Sequence, residues 1–330
     1  MRAMVLGARG AVGSVIVGEL ERRGHDVTPA GRREGEGGRV DVSARDGIDV
    51  LTGLAVGHDV LINASGVEDE RLATLPVPVV EISATSRYLA ALRRSTGPRE
   101  TVVLGAGLAP GLSTTLVADM ASAPDDEIDV GVMLGTGEHH GTAAVAWTIG
   151  LIGQDIFASP DGMPVTNFRQ SRVLPGYGGE RPRRHLRADF PDHVLLGTTA
   201  RPAAVRSHLA MTDALSTRAL ALAARRPRLR ALVGRAPHVG SDRWRITVVN
   251  RRRGEVRIAT GRAQSAATGV AAVLAAERAV ELSDGGCRGL GAVTMADLTT
   301  SVAVADRLCE SGRPTRLVGQ PGTRSAGSDR

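Results

Sequence analysis

The first 43 residues read MRAMVLGARGAVGSVIVGELERRGHDVTPAGRREGEGGRVDVS. Residues 2–6 form a short apolar run with the length of a buried parallel strand. A glycine-rich turn follows directly, and residues 14–23 then place apolar side chains on one face of a helix that Gly24 ends. Residues 26–30 predict a second strand. The pattern therefore predicts a strand, a glycine turn, a helix and a strand that runs into two arginines.

The turn has the glycine spacing GxxGxxG, with its glycines at Gly7, Gly10 and Gly13. In such turns the first glycine allows the tight turn, the second lets a pyrophosphate approach the backbone, and the third lets the helix pack closely. The helix N-terminus adds free amides and a partial positive charge. This position predicts a dinucleotide site that includes Arg9 and Val12. A glycine-rich turn without a ligand is the alternative.

The end of the second strand indicates which dinucleotide would bind. An NAD site usually has an acidic residue here, about twenty residues after the turn, for the ribose hydroxyls. This chain has Arg32 and Arg33 instead. Guanidinium groups pair with phosphate through a planar fork of donors, so the pair predicts NADP(H) with its 2′-phosphate. A solvated arginine pair is the alternative.

The composition excludes several kinds of site. The chain contains no lysine, so all 41 basic residues are arginine. A Schiff-base lysine, a P-loop lysine and the Tyr-x-x-x-Lys pair of short-chain dehydrogenases are therefore impossible. The net charge is +6, but aromatic residues make up only 2% and the arginines are scattered. We expect anionic small molecules rather than a nucleic acid as partners.

Neither a membrane partner nor a metal is predicted. No segment reaches the ~18 apolar residues that a membrane span needs, and no leader opens the chain, so we expect a cytoplasmic protein. Cys287 and Cys309 fit neither a metal spacing nor a disulfide framework.

Strands and helices alternate over the first third of the chain. Further strands are predicted at residues 38–43, 59–63, 78–83 and 101–105, with helices at 48–56 and 87–94. This alternation predicts an α/β fold with a doubly wound parallel sheet, that is, a Rossmann domain.

The ends of these strands supply further candidate cofactor contacts. Asp41 and Val42 end the third predicted strand, where such a pair lies beside the adenine in related nucleotide folds; an ordinary strand-end aspartate is the alternative. Asn63, Ala64 and Ser65 lie where the fourth strand runs into a turn of small residues, which would let the nicotinamide ribose approach the backbone.

Two later glycine-rich turns are candidates for the reacting end of the site. The first, residues 105–113, contains Gly107 and Pro110 and is predicted at the carboxyl edge of the sheet, where ligands bind in such folds. The second contains His139 and His140, either of which could contact substrate or deliver a proton. A plain turn and histidines without a role are the respective alternatives.

The second half predicts a different region. Residues 127–134 read as a strand, 206–225 as a helix, and 243–250 with 255–260 as a hairpin. A long alanine- and valine-rich helix is predicted over 265–282. From residue 311 the composition predicts a mobile tail.

Four stretches together resemble the saccharopine dehydrogenase-like family of NAD(P)-dependent oxidoreductases: residues 7–13, 30–32, 105–113, and 261–268 leading into 289–293. The resemblance implies a Rossmann domain, an inserted α/β substrate and dimerisation domain, and a C-terminal helix that returns to the Rossmann domain. It assigns residues 1–122 and about 265–310 to the first domain and 123–264 to the second. It also implies a homodimer.

The resemblance implies hydride transfer at a C–N bond or a related carbonyl. The expected activity is NADPH-dependent reduction of a C=N or C=O group of a small metabolite, with His139 and His140 as candidate catalytic residues. An enoyl or ketone reductase of the same superfamily and a non-catalytic NADP(H)-binding regulator are the alternatives.

Overall fold

The computed structural model describes residues 1–32, 39–120, 123–137, 142–196, 204–226, 228, 240–283 and 288–320. Within them, six parallel strands form a first sheet in the order β2–β1–β3–β4–β5–β12. These strands are β1 (Arg2–Leu6), β2 (Asp26–Ala30), β3 (Val60–Asn63), β4 (Val79–Glu81), β5 (Thr101–Leu104) and β12 (Gly291–Thr294).

Both faces of this sheet are covered. Helices α1 (Gly13–Arg22) and α8 (Gln264–Leu282) lie on one face, where they share a core with Ala3 and Val5. Helices α2 (Gly47–Ala55) and α3 (Ser86–Ser95), with a 3₁₀ turn at Glu70–Thr74, share the other core with Met4 and Leu6. Successive residues of a strand point to opposite faces, so β1 is apolar throughout. The predicted doubly wound α/β fold is confirmed.

The strand order creates a switch point beside β1. The chain passes from β1 to its neighbour β2 and then crosses to β3 on the other side of β1. Connections on either side of β1 therefore diverge at its carboxyl end, which leaves a crevice outside the strand ends. The glycine turn lies at this edge.

The second sheet has seven strands in the described chain, in the order β13–β11–β10–β6–β9–β8–β7. It is mixed, because β6 and β9 pair parallel and the other neighbours antiparallel. The strands are β6 (Glu127–Leu134), β7 (Ser171–Leu174), β8 (Arg183–Arg187), β9 (Ala204–Met211), β10 (Arg243–Asn250), β11 (Val256–Arg262) and β13 (Arg316–Gln320). The predicted hairpin is confirmed as β10 and β11.

The remaining helices are α4 (Leu112–Ala118), α5 (Thr142–Leu151), α6 (Asp192–Leu195), α7 (Ala214–Arg225), α9 (Met295–Leu298) and α10 (Ser301–Glu310). No helix in the described ranges is long and apolar enough to cross a membrane.

The two faces of the second sheet differ in polarity. One face contributes apolar side chains, among them Val130, Val132 and Leu209, to the core that it shares with the first sheet. The opposite face places polar side chains side by side, including His208 of β9, which is paired in register with Gly131 and Arg187. Several of these polar side chains are buried: Asp129, His185, Arg187, His208, Arg245 and Thr247.

Helix α8 returns the chain to the first sheet, as predicted. A Cβ at Gly269 would lie 2.8 Å from Cγ1 of Val15, so this glycine lets α8 approach α1 closely. Glu277 of α8 accepts hydrogen bonds from Arg23 at 2.6 Å, Arg307 at 2.6 Å and His25 at 3.0 Å. Burial alone would raise the pKa of Glu277, but these hydrogen bonds outweigh it and hold the pKa at about 2.

Three sequence predictions are wrong in part. Within the described residues 39–43, the expected strand is reduced to one parallel bridge, between Arg39 and Gly31. Asp41 ends it, because its Oδ1 accepts the Ser43 amide at 3.0 Å and so stabilises a turn instead of a strand. The expected helix at 206–225 begins only at Ala214.

The segment before Ala214 is β9, which lies between β6 and β8. Six of its eight residues are buried, and sheet pairing overrides the helical pattern there. The expected mobile tail is wrong for Arg316–Gln320, which pairs antiparallel with β11 as β13. Residues 321–330 lie outside the described chain.

Candidate functional site

The first glycine of the turn is required by the protein itself. Gly7 has φ +82°, a left-handed conformation that favours glycine. A Cβ there would lie 2.6 Å from the Ala64 carbonyl oxygen and from backbone atoms of Ser65. The Gly7 amide also donates to the Ala30 carbonyl at 2.9 Å. The turn is therefore packed between the ends of β3 and β2.

The other two glycines differ in their surroundings. A Cβ at Gly13 would lie 2.8 Å from the Gly7 carbonyl carbon and closer still to its oxygen, so Gly13 allows α1 to start against the turn. A Cβ at Gly10 would meet only the Gly7 carbonyl oxygen, at 3.2 Å, and the Ala64 oxygen, at 3.9 Å. Gly10 is exposed. The fold requires Gly7 and Gly13 sterically, whereas Gly10 leaves open backbone.

Backbone donors lie beside this open position. The Gly10 amide donates to the Gly7 carbonyl, and the Ser14 amide donates to the Gly10 carbonyl, both at 2.9 Å. The amides of Ala11 and Val12 have no backbone acceptor in the described part of the chain. Unpaired amides at the start of a helix are the groups that bind phosphate oxygens. Arg9, also exposed, flanks the same surface.

Arg32 lies on the same side of the sheet. It follows β2 by two residues, and β2 is tied to the turn through the hydrogen bond from Gly7 to Ala30. The Arg32 side chain is exposed and has no acidic partner among the described residues. Arg33 falls outside the described residues. The structure thus places one of the two predicted arginines next to the glycine turn.

The two adenine candidates are used mainly by the fold. Val42 is buried in the core beneath α2. Asp41 is half-buried and caps its own turn through Ser43. A Cβ at Gly47 would lie 2.8 Å from the Cα of Val42, so α2 starts tightly against this turn. Their predicted contact with adenine stays a prediction.

Asn63, at the end of β3, connects neighbouring segments through its side-chain hydrogen bonds. It is buried, and its Nδ2 donates to the Val67 carbonyl at 3.1 Å and to Glu81 at 2.7 Å. Its Oδ1 accepts from the Ser65 amide at 3.2 Å and from the Ser65 hydroxyl at 2.7 Å. All hydrogen-bonding groups of the Asn63 side chain are therefore engaged by the protein. The backbone of Ala64 and Ser65 is what remains for a ligand, and its role is still a prediction.

Sequence reasoning missed Glu81, whose carboxylate is hydrogen-bonded to the Asn63 side chain. Glu81 ends β4 and is 2% exposed. It accepts from Asn63, from the Tyr88 hydroxyl at 3.0 Å and from the Ser83 amide at 2.8 Å. Burial raises the pKa of Glu81 to about 7 against these three donors. The available signal was a glutamate at the end of an otherwise apolar strand.

The loop with Gly107 and Pro110 is packed tightly inside the protein. The Gly107 amide donates to the Pro110 carbonyl at 2.9 Å, across a cis Ala109–Pro110 peptide. A Cβ at Gly107 would lie 3.0 Å from Cγ2 of Thr268 on α8. Within residues 105–111 only Ala109 is not fully buried. A role of Gly107 and Pro110 beside the nicotinamide stays a prediction.

His139 and His140 lie outside the described residues.

Two buried aspartates that sequence reasoning missed connect the second sheet to helices α4 and α3. Asp192 accepts from the Ser113 hydroxyl at 2.6 Å and from Ser207 at 3.1 Å, and burial raises its pKa. Asp189 accepts from the Ser86 hydroxyl at 2.5 Å. These bonds fix the second sheet against α4 and α3.

The strand order, the switch point and the glycine turn define a Rossmann-type α/β domain. No protein-family model matches the chain, and no curated protein matches it. Several solved structures show weak similarity.

The chain is 14% identical to a probable aspartate-semialdehyde dehydrogenase from Pseudomonas aeruginosa, over 84% of this chain and 78% of that one, with a TM-score of 0.31. It is 16% identical to the 3-alpha-hydroxysteroid dehydrogenase from Pseudomonas sp. B-0831 complexed with NADH, over 36% of this chain and 54% of that one, with a TM-score of 0.22.

It is also 16% identical to a short-chain dehydrogenase/reductase superfamily protein from Agrobacterium tumefaciens with bound NAD, over 38% of this chain and 37% of that one, with a TM-score of 0.19. The chain thus spans about half the length of the steroid dehydrogenase. Similarity at this level transfers neither an activity nor a residue role.

Proposed function

We propose that this protein is an NADPH-dependent oxidoreductase of the saccharopine dehydrogenase-like type, which transfers a hydride to a C=N or C=O group of a small metabolite. The observation that carries the proposal is the open backbone at Gly10 beside the Ala11 and Val12 amides, with Arg32 at the end of the neighbouring strand. The fold uses Gly7 and Gly13 for packing but has no comparable steric need for Gly10.

The residues present fit a dinucleotide with an added phosphate. The amides of Ala11 and Val12 and the start of α1 would bind the pyrophosphate. Arg32, with Arg33, would bind the 2′-phosphate through guanidinium forks. Asp41 and Val42 remain the candidates for the adenine end, and Ala64, Ser65, Gly107 and Pro110 for the nicotinamide end.

The cofactor supplies a hydride when bound, and the protein orients it. An iminium substrate needs only that hydride, so the reduction requires no dedicated acid. The surroundings of Glu81 support a reaction without a dedicated acid, since its carboxylate is 2% exposed and accepts hydrogen bonds from three donors. Its role in the proposal is to hold Asn63, which in turn holds the Ser65 turn. His139 and His140 remain candidates for substrate contact.

The proposal includes an inserted substrate domain over residues 123–264, a homodimer and a cytoplasmic location.

Turnover of a panel of imines, ketones and enoyl compounds with deuterated NADPH tests the proposed reduction directly. Deuterium on carbon next to nitrogen or oxygen supports the proposal, and transfer to a C=C bond supports an enoyl reductase instead. Tight NADP(H) binding without turnover of any compound would indicate a regulator.

Charge reversal at Arg32 tests the cofactor assignment. We expect Arg32→Asp to raise the Kd for NADPH by about tenfold or more, because repulsion replaces a charge-assisted hydrogen bond. A tenfold change in Kd corresponds to about 1.4 kcal/mol of binding free energy. The Kd for NADH should change by less than about threefold. Fluorescence titration with both cofactors gives the ratio.

Arg99→Asp is the matched control for this measurement. Arg99 is exposed just before β5, at the opposite edge of the sheet from the glycine turn. The same change in net charge there should leave both Kd values within about twofold. An unchanged NADPH preference in Arg32→Asp, or an equal loss in Arg99→Asp, would remove Arg32 from the site.

A further inference from the structure

A cavity of about 260 Å³ opens on the second sheet, between α7 and the strands β7 and β8. Four arginines line it: Arg169, Arg184, Arg218 and Arg225. No acidic residue lines it in the part of the chain that the structure describes. All of its lining residues fall between positions 168 and 225, so none belongs to the six-stranded sheet or to the glycine turn.

None of the four arginines forms an ion pair with a described carboxylate. Arg184 donates to the Ser171 hydroxyl at 2.9 Å, and Arg169 donates to the Ala224 carbonyl at 3.4 Å. Two arginines on or directly after other strands of this sheet behave differently. Arg206 binds Asp161 at 2.5 Å, and Arg251 binds Asp129 at 2.6 Å. Four positive charges therefore lie together here without a carboxylate partner among the described residues, unlike Arg206 and Arg251.

The arginines on α7 share one face of the helix. Arg218, Ala221, Leu222 and Arg225 are spaced i, i+3, i+4 and i+7, so they project in the same direction. Leu222 is 49% exposed, which leaves an apolar side chain between two cationic ones. The cavity floor is apolar as well, formed by the buried side chains of Phe168 and Leu186. The cavity thus combines an apolar base with a cationic rim.

The backbone at the floor is strained. Phe168 has φ +64°, a left-handed conformation that is costly for a residue with a large side chain. Its amide donates to the Arg187 carbonyl at 2.7 Å, which ties this turn to β8. The turn buries the Phe168 ring and brings Arg169 to the rim of the cavity. Strain of this kind is concentrated where a structure presents a ligand site.

We propose that this cavity binds a small organic polyanion, a compound with two or more phosphate or carboxylate groups on a compact apolar body. Guanidinium forks bind such groups bidentately. The apolar floor would take the body of the ligand. The volume lies just below the usual range for ligand pockets, roughly 300–1,000 Å³, which favours a ligand smaller than a dinucleotide. The site is independent of the proposed cofactor function.

Calorimetric titration with inorganic pyrophosphate, and separately with citrate, tests the proposal on the full chain. We expect one binding event at the cavity, weakened about tenfold or more by Arg218→Ala and further by Arg184→Ala with Arg218→Ala. Arg218→Lys keeps the charge but loses the planar fork, so it should fall between the wild type and Arg218→Ala. Thermal unfolding of each variant verifies that α7 stays folded.

Arg226→Ala is the matched control, because Arg226 is exposed one residue after α7 and does not line the cavity. Equal weakening by Arg226→Ala would mean that general positive charge binds the anion, and would overturn the proposal. So would the absence of binding, or binding that Gly10→Ala abolishes while Arg218→Ala preserves it, since the anion would then occupy the glycine turn. A single-stranded oligonucleotide that binds more tightly than both small anions would replace the small ligand with a nucleic acid.

Discussion

Alanine at position 13 is expected to lower the free energy of unfolding by about 2–3 kcal/mol, the cost of overpacking a closely packed site. The new Cβ would lie 2.8 Å from the Gly7 carbonyl carbon and 3.0 Å from the Cα of Ala8. All of the nearest atoms are backbone, so no side chain can rotate away. The start of α1 would have to move away from the turn, with loss of its packing on β1.

Alanine at position 10 should have the opposite profile. Its Cβ would meet one carbonyl oxygen at 3.2 Å, so the free energy of unfolding should change by less than about 1 kcal/mol. The methyl group would, however, occupy the space through which a pyrophosphate reaches the turn. We expect NADP(H) binding to weaken on the order of tenfold.

Chemical denaturation and cofactor titration of the two variants measure these effects side by side. The pair separates packing from ligand approach, because both variants add one methyl group to the same turn. If Gly10→Ala binds NADPH as the wild type does, the turn is a structural element without a ligand. If Gly13→Ala is as stable as the wild type, the turn is looser than the distances indicate.

The glycine turn could be predicted from sequence because its information is local. A strand, a turn and a helix succeed one another, and each glycine has a distinct steric role. The turn at Asp41 was not predicted, because a single side-chain hydrogen bond to the Ser43 amide decides between a strand and a turn. The pattern of apolar residues there is the same in both cases.

The contacts of Glu81 lie beyond reach of such reasoning for a different reason. Its three donors come from β3, from the turn after β4 and from α3, up to 18 residues away in the chain. The arginine cavity is equally non-local, since α7 and the turn at Phe168 contribute to it from opposite ends of a 58-residue segment. Neither set of residues has a spacing that marks it in the sequence.

Acid is expected to destabilise the second sheet through two buried histidines. His185 and His208 lie on adjacent strands, and burial lowers the pKa of each to about 4. At His185, the hydrogen bond between Nδ1 and the Arg183 carbonyl opposes this effect, while the charges of Arg245 and Arg183 add to it. At His208, the attraction of Asp129 opposes it, while Arg187 and Arg251 reinforce it. Among the described residues, His185 Nε2 and His208 Nδ1 have no hydrogen-bond partner, so no hydrogen bond stabilises a proton on either atom.

The sign follows from proton binding in the two states. An unfolded histidine titrates near 6.5, so between pH 6.5 and 4 the unfolded chain binds more protons than the folded one. The stability that each neutral, buried histidine contributes is fully present above about pH 6.5 and is lost as the pH falls towards 4. A shift of this size corresponds to about 3 kcal/mol for one histidine.

Glu81 works in the opposite direction. Its pKa of about 7 lies above the usual 4.5, so the folded chain binds more protons there, and acid stabilises the fold through this group. The wild-type pH profile is therefore a difference of opposing contributions, and the variants separate them. His185→Asn and His208→Gln should each flatten the loss of stability between pH 6.5 and 4.5. Glu81→Gln should steepen it.

Urea denaturation at pH 7.5, 6.5, 5.5 and 4.5 measures the three profiles. The opposite response of Glu81→Gln is the control, because a general effect of substitution in the core would shift all curves in parallel. If the stability of the histidine variants changes with pH as that of the wild type does, water or a shared proton satisfies the free ring nitrogens in the folded state. Because His208 is paired in register with Arg187, its protonation would place a second positive charge beside a buried guanidinium whose ion pair with Asp161 is long, at 3.4 Å. That arrangement is costly in a low-dielectric interior, which is why we expect the curves to differ.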